Sequence, residues 1–263
     1  MIRMIHISDL HIRSKSRREE NGNAKRLARE ILKRYGKDGN NKTIVIMTGD
    51  LVDDGKEEQY KQLEHNVIKP LQKKFTVLAA PGNHDYALWG NAFNKESLKH
   101  FRKYVRKIPK HPESCVDTID IPNERKVLFI GVDSADPGDK AFFADGIVDK
   151  KQRDSIKKIL TANKYKDYYK ALYVHHHPFL RKWFVAFQQA NEFLEMIRTK
   201  VDLILFGHKH THETFFYRYE IPTMLASGKV TDPAGDGDGL AFRVINLEKN
   251  GLPKIFTIEV PRP

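Results

Sequence analysis

Six short apolar runs punctuate the chain: MIRMIHIS (1–8), KTIVIMTG (42–49), FTVLAAPG (75–82), KVLFIGVD (126–133), KALYVHHH (170–177) and VDLILFGH (201–208). Each is rich in aliphatic and β-branched residues and runs into glycine, aspartate, asparagine or histidine, the pattern of buried strands. Between them, 18–34, 57–73, 95–107, 149–163 and 188–198 carry helical spacing. In the third of these stretches Leu98, Phe101, Val105 and Ile108 share one stripe. Strands alternating with helices restrict the chain to an α/β fold. After Gly207 the texture changes: HETFFYRYE, IPTMLASG, LAFRVINLE and PKIFTIEVP predict four further strands. The sequence shows no repeat, low-complexity linker or boundary, so residues 1–263 are expected to form a single domain.

Composition narrows the partners. No run of about 18 apolar residues predicts a membrane span, and Met1-Ile2-Arg3 leads straight into MIHIS without the regions of a signal peptide. Cys115 is the only cysteine, which excludes an intrachain disulfide and argues against thiolate metal sites; a reducing cytoplasmic setting is the expectation. A net charge of +12 favours anionic partners. The lysines and arginines are scattered, however, which reads as a solvated basic surface.

Polar residues gather where the apolar runs end. Asp9 and His11 follow the first, Gly49 and Asp50 the second, Asn83 and His84 the third, His175 to His177 the fifth, and His208 and His210 the sixth. Binding sites of open α/β sheets form at these carboxyl ends. The donors are oxygen and nitrogen without sulfur, and too rich in imidazole for a dedicated Mg²⁺ or Ca²⁺ site; Mn, Fe, Zn, Co or Ni suits them. They suffice for two ions, with Asp50 able to bridge. Two ions about 3.5–4 Å apart can clamp a phosphoryl group and activate a bridging hydroxide. Two dications less two carboxylates and a hydroxide leave a centre of about +1, which matches a phosphate ester.

In order along the chain stand D-L-H at 9–11, G-D-L-V-D-D-G at 49–55, G-N-H-D at 82–85, H-H-P at 176–178 and G-H-K-H at 207–210. With these five motifs the chain resembles the calcineurin-like metallophosphoesterase superfamily. Any one of them is weak; the ordered set is specific. The resemblance implies a four-layer α/β/β/α sandwich of two mixed sheets (the metallo-dependent phosphatase fold) with a dinuclear transition-metal centre at one edge, the ions Mn, Fe or Zn. It assigns Asp9, His11, Asp50 and His210 to one ion, and Asp50, Asn83, His208 and a histidine of the HHHP run to the other. Counting two residues back from Pro178 selects His176, with His175 competing beside it and His177 at the rim. His84 becomes the general acid, oriented and kept cationic by Asp85, while Asp53 steadies the Asp50 loop.

Structural or solvent roles are expected for His6, His65, His100, His111 and His212, and a spacer role for Lys209. The stretches 227–231 and 234–239 lack Walker spacing and read as turns. Residues 86–114, with Trp89 and Phe93, and 178–190, with Arg181, Lys182, Trp183, Phe184 and Phe187, could shape the pocket. Arg181 and Trp183 are the candidate substrate contacts, through charge and stacking; Phe184 and Phe187 read equally as core. Within the family the short chain resembles the cyclic-nucleotide phosphodiesterase-like branch. The expected function is metal-dependent hydrolysis of a small phosphodiester, such as a cyclic nucleotide. The alternatives are a nuclease on DNA or RNA, a phosphomonoesterase, or a non-catalytic scaffold, which would need ligands to be lost.

Overall fold

The computed structural model describes residues 1–14, 18–37, 42–88, 92–105, 115–135, 144–182, 185–229 and 240–260. Two mixed sheets are stacked. The first has strand order Lys254–Glu259, Ala241–Leu247, Ile2–Ile7, Thr43–Thr48, Thr76–Ala80. Its last three strands are parallel and its C-terminal pair antiparallel. The second runs Glu213–Arg218, Ile221–Ala226, Leu203–Phe206, Tyr169–Tyr173, Val127–Gly131, Cys115–Ile119, parallel in the centre and antiparallel at both edges.

Side-chain alternation builds the layers. Ile2, Met4, Ile44, Ile46 and Leu78 of the first sheet meet Phe129, Ala171, Tyr173, Leu203 and Leu205 of the second in a buried core between the sheets. The opposite face of the first sheet, Ile5, Ile7, Val45 and Met47, packs under Leu27, Ile31, Tyr60, Leu63, Val67 and Phe101 of the flanking helices. The outer face of the second, Leu128, Ile130, Leu172 and Ile204, packs under Ile156, Leu160, Phe193, Leu194 and Ile197. This is the expected four-layer α/β/β/α sandwich. Each fully buried Ile, Leu or Phe in these layers contributes about 1.5–3 kcal/mol relative to exposure.

The helices follow their local signals. Asn94 and Asp149 cap Lys95–Tyr104 and Lys150–Thr161 by accepting from Glu96 N at 2.8 Å and Gln152 N at 2.7 Å. The predicted helix over 57–73 is interrupted by a π turn, Glu64–Ile68. Pro70 accounts for it: proline has no N–H for the Asn66 carbonyl and its ring crowds that oxygen, and a widened turn relieves both. Every predicted strand is present. The strand Cys115–Ile119 and the short pair Ala87–Leu88 and Ala92–Phe93 were not predicted. In CVDTI a central Asp117 breaks the apolar run, and its position on a sheet edge tolerates that. No described helix is long and apolar enough to cross a membrane.

Candidate metal centre

The loops after Ile2–Ile7 and Thr43–Thr48 zip together. Asp9 N donates to Gly49 O at 3.0 Å, His11 N to Asp50 O at 2.9 Å, and Asp53 N to Ile12 O at 3.1 Å. Asp9, His11, Asp50, His208 and His210 all adopt left-handed backbone, with φ of 54°, 43°, 51°, 71° and 62°. Such geometry costs a non-glycine residue roughly 1–3 kcal/mol and concentrates at functional sites.

Their side chains converge. His210 Nε2 lies 3.3 Å from Asp9 Oδ1 and 3.3 Å from His11 Nε2, which is 3.7 Å from Asp50 Oδ2. The same Asp50 oxygen is 3.3 Å from His175 Nε2, which in turn faces His208 Nδ1 at 3.1 Å. Three groups able to hold an ion result, each with ligand atoms within 4.8 Å of one another: Asp9, His11, Asp50 and His210; His175, His176 and His208; and His11, Asp53 and His84. Asp50 stands between the first two. Asn83 is buried at the start of the short helix Asn83–Tyr86, next to His84, whose N–H donates to Asp50 Oδ1 at 3.0 Å.

The far nitrogens show how the rings are aimed. His175 Nδ1 contacts Thr48 O at 2.7 Å, and His208 Nε2 contacts Val185 O at 3.0 Å. A carbonyl accepts only, so each of these nitrogens carries a proton, and in the neutral, metal-binding form of each ring the other nitrogen turns a lone pair toward its neighbour. Two lone pairs facing at 3.1 Å suit a cation between them. His11 Nδ1 rests 3.4 Å from Asp53 Oδ1 in the same sense. Asp9 Oδ1 is buried without a well-formed hydrogen bond, a further sign of a metal-ready donor.

Electrostatics agree. Burial would raise the Asp50 carboxyl, but the imidazoles of His175 and His84 outweigh it and hold it well below the ordinary range. Burial likewise opposes ionisation of Asp9, yet His210 brings it down to about 2. Burial would lower His175, but Asp50 lifts it to about 9, whereas burial and then His175 depress His208 to about 3. The carboxylates thus draw positive charge into the cluster, which is what a metal-binding site requires. The donors fit a pair of transition-metal ions.

Several contacts differ from the expected ones. His175, expected beside the centre, faces Asp50 and His208. His176, expected to be the ligand, stands in one ligand group with His175 and His208, while its ring nitrogens also contact Ser134 Oγ at 2.8 Å and Ala144 O at 3.2 Å. His177 does not reach the rim: it is 1% exposed, bonded to Glu213 Oε2 at 2.7 Å and packed edge-on against Phe206. Asp85 does not orient His84. Its carboxylate accepts from Gly82 N at 2.9 Å, Leu51 N at 3.1 Å and Val52 N at 3.2 Å, so it is Asp85 that steadies the Asp50 loop. His84 Nδ1 is held by the Asp53 carbonyl at 2.7 Å, and the Asp53 carboxylate spans His11 and Arg13.

Other assignments fall elsewhere. Arg181 is exposed, near Asn191. Phe187 is 5% exposed in the outer core of the second sheet. The segment after the histidine run does reach the centre, but through the Val185 carbonyl, which no side-chain pattern could reveal. Trp89, Ile108, His111, Trp183, Phe184 and residues 230–239 lie outside the described residues. The role of Gly82 and Gly207 was also missed. A Cβ on Gly82 would stand 2.2 Å from Asp50 Oδ1, and one on Gly207 1.9 Å from Ser8 Oγ. The glycines of GNHD and GHKH were the available signal.

Residues 2–212 match the calcineurin-like phosphoesterase family, and the chain belongs to it. It is a calcineurin-like metallophosphoesterase, of a family whose chemistry is metal-dependent hydrolysis of phosphate esters at a dinuclear centre. No curated protein matches it in sequence. Among solved structures it is similar to a purple acid phosphatase, PPD1, from yellow lupin (Lupinus luteus) seeds, with 14% identity, TM-score 0.62, and 93% of this chain and 49% of that one covered. It is also similar to the calcineurin-like phosphoesterase YfkN of Bacillus subtilis, with 13% identity, TM-score 0.55, and coverage of 98% and 90%. GAP50, the anchor in the inner membrane complex of Plasmodium, shares 16% identity with TM-score 0.62 and coverage of 97% and 83%. The chain thus spans about half the length of the lupin phosphatase. At these identities the likeness shows the fold alone.

Proposed function

We propose that this chain, as a single domain, hydrolyses a small phosphodiester, of which a cyclic nucleotide is one example, at two transition-metal ions. Asp9, His11, Asp50 and His210 would hold one ion; Asp50, Asn83, His175 and His208 the other, with His175 taking the place first expected of His176. The observation that carries the reading is the Asp50 carboxylate oxygen lying 3.7 Å from His11 Nε2 and 3.3 Å from His175 Nε2. When bound, two such ions polarise phosphoryl oxygens and acidify water at the site.

The remaining steps belong to the chain. Asp85, through the N–H groups of Leu51 and Val52, holds the Asp50 loop in its left-handed turn. Asp53 does two jobs: its carboxylate fixes the His11 ring, and its carbonyl accepts from His84 Nδ1. With Nδ1–H donated to that carbonyl, His84 has Nε2 for proton delivery to a leaving alkoxide. The net positive charge of a two-dication, two-carboxylate centre suits a diester monoanion whose leaving group needs that proton.

Metal-loaded protein assayed against bis-p-nitrophenyl phosphate, p-nitrophenyl phosphate, a panel of linear and cyclic nucleotides and single- and double-stranded DNA and RNA tests this. Faster turnover of small diesters is the expected result. Preference for the monoester would replace the diester reading. Nucleic acid cleavage with steeply salt-dependent binding, and small diesters untouched, would replace it with a nuclease.

A further inference from the structure

His212, the third histidine of GHKHTH, takes no part in the metal centre. Gly228 N donates to its Nδ1 at 3.1 Å, which seats the ring beside the end of strand Ile221–Ala226. That places it next to an unusual group of polar residues between the two sheets.

His6 and Arg243 are register partners on adjacent strands. Both share the inter-sheet face, His6 with Met4 and Arg243 with Ile245. Arg243 is 7% exposed. Its Nη1 donates to Thr257 Oγ1 at 2.9 Å, and its Nη2 crosses to the second sheet, to Glu213 O at 2.9 Å and to Thr214 Oγ1. Among the described residues no carboxylate pairs with this guanidinium, and its Nε is buried without an acceptor. Glu213 is the register partner of Ala226, so the guanidinium stands about one strand spacing from Ser227. The Ser227 Oγ is also buried without a partner. So is His6 Nδ1, on a fully buried ring whose Nε2 meets Thr48 Oγ1 at 2.9 Å. The Ser8–Lys229 backbone bridge joins the segment after Ser227 to the residue before Asp9.

The Arg243 Nε–H, the Ser227 O–H and a His6 nitrogen able to carry a proton therefore lie on neighbouring strands of the two sheets, each buried without a partner, and the guanidinium among them is a cation. The neighbouring carboxylate, Asp9, is turned to His208 N at 3.2 Å and His210 Nε2 at 3.3 Å. A buried charge without a counter-ion is strongly unfavourable. Water would satisfy the hydrogen bonds but leave the charge; an anion, which only accepts, does both. The gap between stacked sheets is about 10 Å and Arg243 already spans it, so only a small ion fits.

We propose that Arg243, His6 and Ser227 form a binding site for a small inorganic monoanion of the chloride class, buried between the sheets behind the metal centre. The bound ion neutralises Arg243 and ties the strand carrying Asp9 to the segment that follows the GHKH loop.

Crystals of the full chain grown in sodium bromide, with diffraction collected at the bromine edge, test it directly. An anomalous peak within hydrogen-bond reach of Arg243 Nε and Ser227 Oγ is expected. Melting in sodium chloride against sodium gluconate at equal ionic strength gives the second readout. The wild type should melt higher in chloride, and Ser227→Ala and Arg243→Met should lose most of that difference. No bromide at Arg243, or a chloride effect equal in both variants and the wild type, overturns the proposal. The bromide experiment needs no variant to fold.

Discussion

Asp53 and Asp85 carry the same carboxylate, and their surroundings give them different tasks. Asp85 is fully buried and accepts from three backbone N–H groups, with Tyr60 Oη also within 3.3 Å. Replacing one of its oxygens by an amide turns an acceptor into a donor that faces donors. Asp85→Asn should therefore cost about 1–3 kcal/mol in urea unfolding and lower the metal content, because the Asp50 loop loses its anchor. Unchanged stability together with full metal loading would show that Asp85 is dispensable there. His84 makes a different prediction. His84→Ala should keep both metals and lose about 10²–10⁴-fold in turnover of diesters with poor leaving groups. With p-nitrophenolate as leaving group the loss should shrink, since that group hardly needs a proton. Equal losses for both would mean that His84 positions substrate or metal instead. The sequence named both residues but could not distinguish a carboxylate from a backbone carbonyl as the partner of His84, because Asp53 offers both.

At the scale of elements, the site depends on how closely strand-end loops approach one another. Gly82 opens the turn before Asn83, and its missing Cβ leaves room for the Asp50 backbone and carboxylate, at 2.4 and 2.2 Å. Gly82→Ala should thus displace the Asp50 loop and reduce metal content measured by elemental analysis. The paired control is Gly22→Ala in helix Arg18–Tyr35, where a Cβ meets nothing within 4 Å. It should keep full metal content and gain about 0.5–1 kcal/mol, since alanine loses less backbone entropy in a helix. Metal loss in both variants, or in neither, would contradict this division. The same close packing explains the three-histidine run. Pro178 suggested a register counted backwards, but the strand sets it: Val174 N bonds Leu205 O at 3.0 Å and Gly207 N bonds His175 O at 2.9 Å, and that pairing delivers His175 to Asp50. Three identical residues in a row conceal such a register from the sequence.

Across the whole molecule, most of the elements were legible because period-two and period-3.6 patterns are strong in long buried elements. The two-sheet layering itself came from the resemblance; in the structure Ile5, Ile7, Val45 and Met47 face helices, and Met4 and Ile46 face the other sheet. The edge strand Cys115–Ile119 was not legible, since an exposed edge imposes little pattern. The donor set was legible as chemistry, whereas the contacts that aim it, from the Thr48, Asp53 and Val185 carbonyls, belong to every residue type alike. The central claim is a two-ion centre sharing Asp50. Diffraction from metal-loaded crystals, collected at the Mn, Fe and Zn edges, tests it most directly. The account predicts two anomalous peaks about 3.5–4 Å apart, both within bonding distance of Asp50, one beside His11 and His210 and the other beside His175 and His208. A single peak, or a second ion held by His176 with His175 unbound, would contradict it.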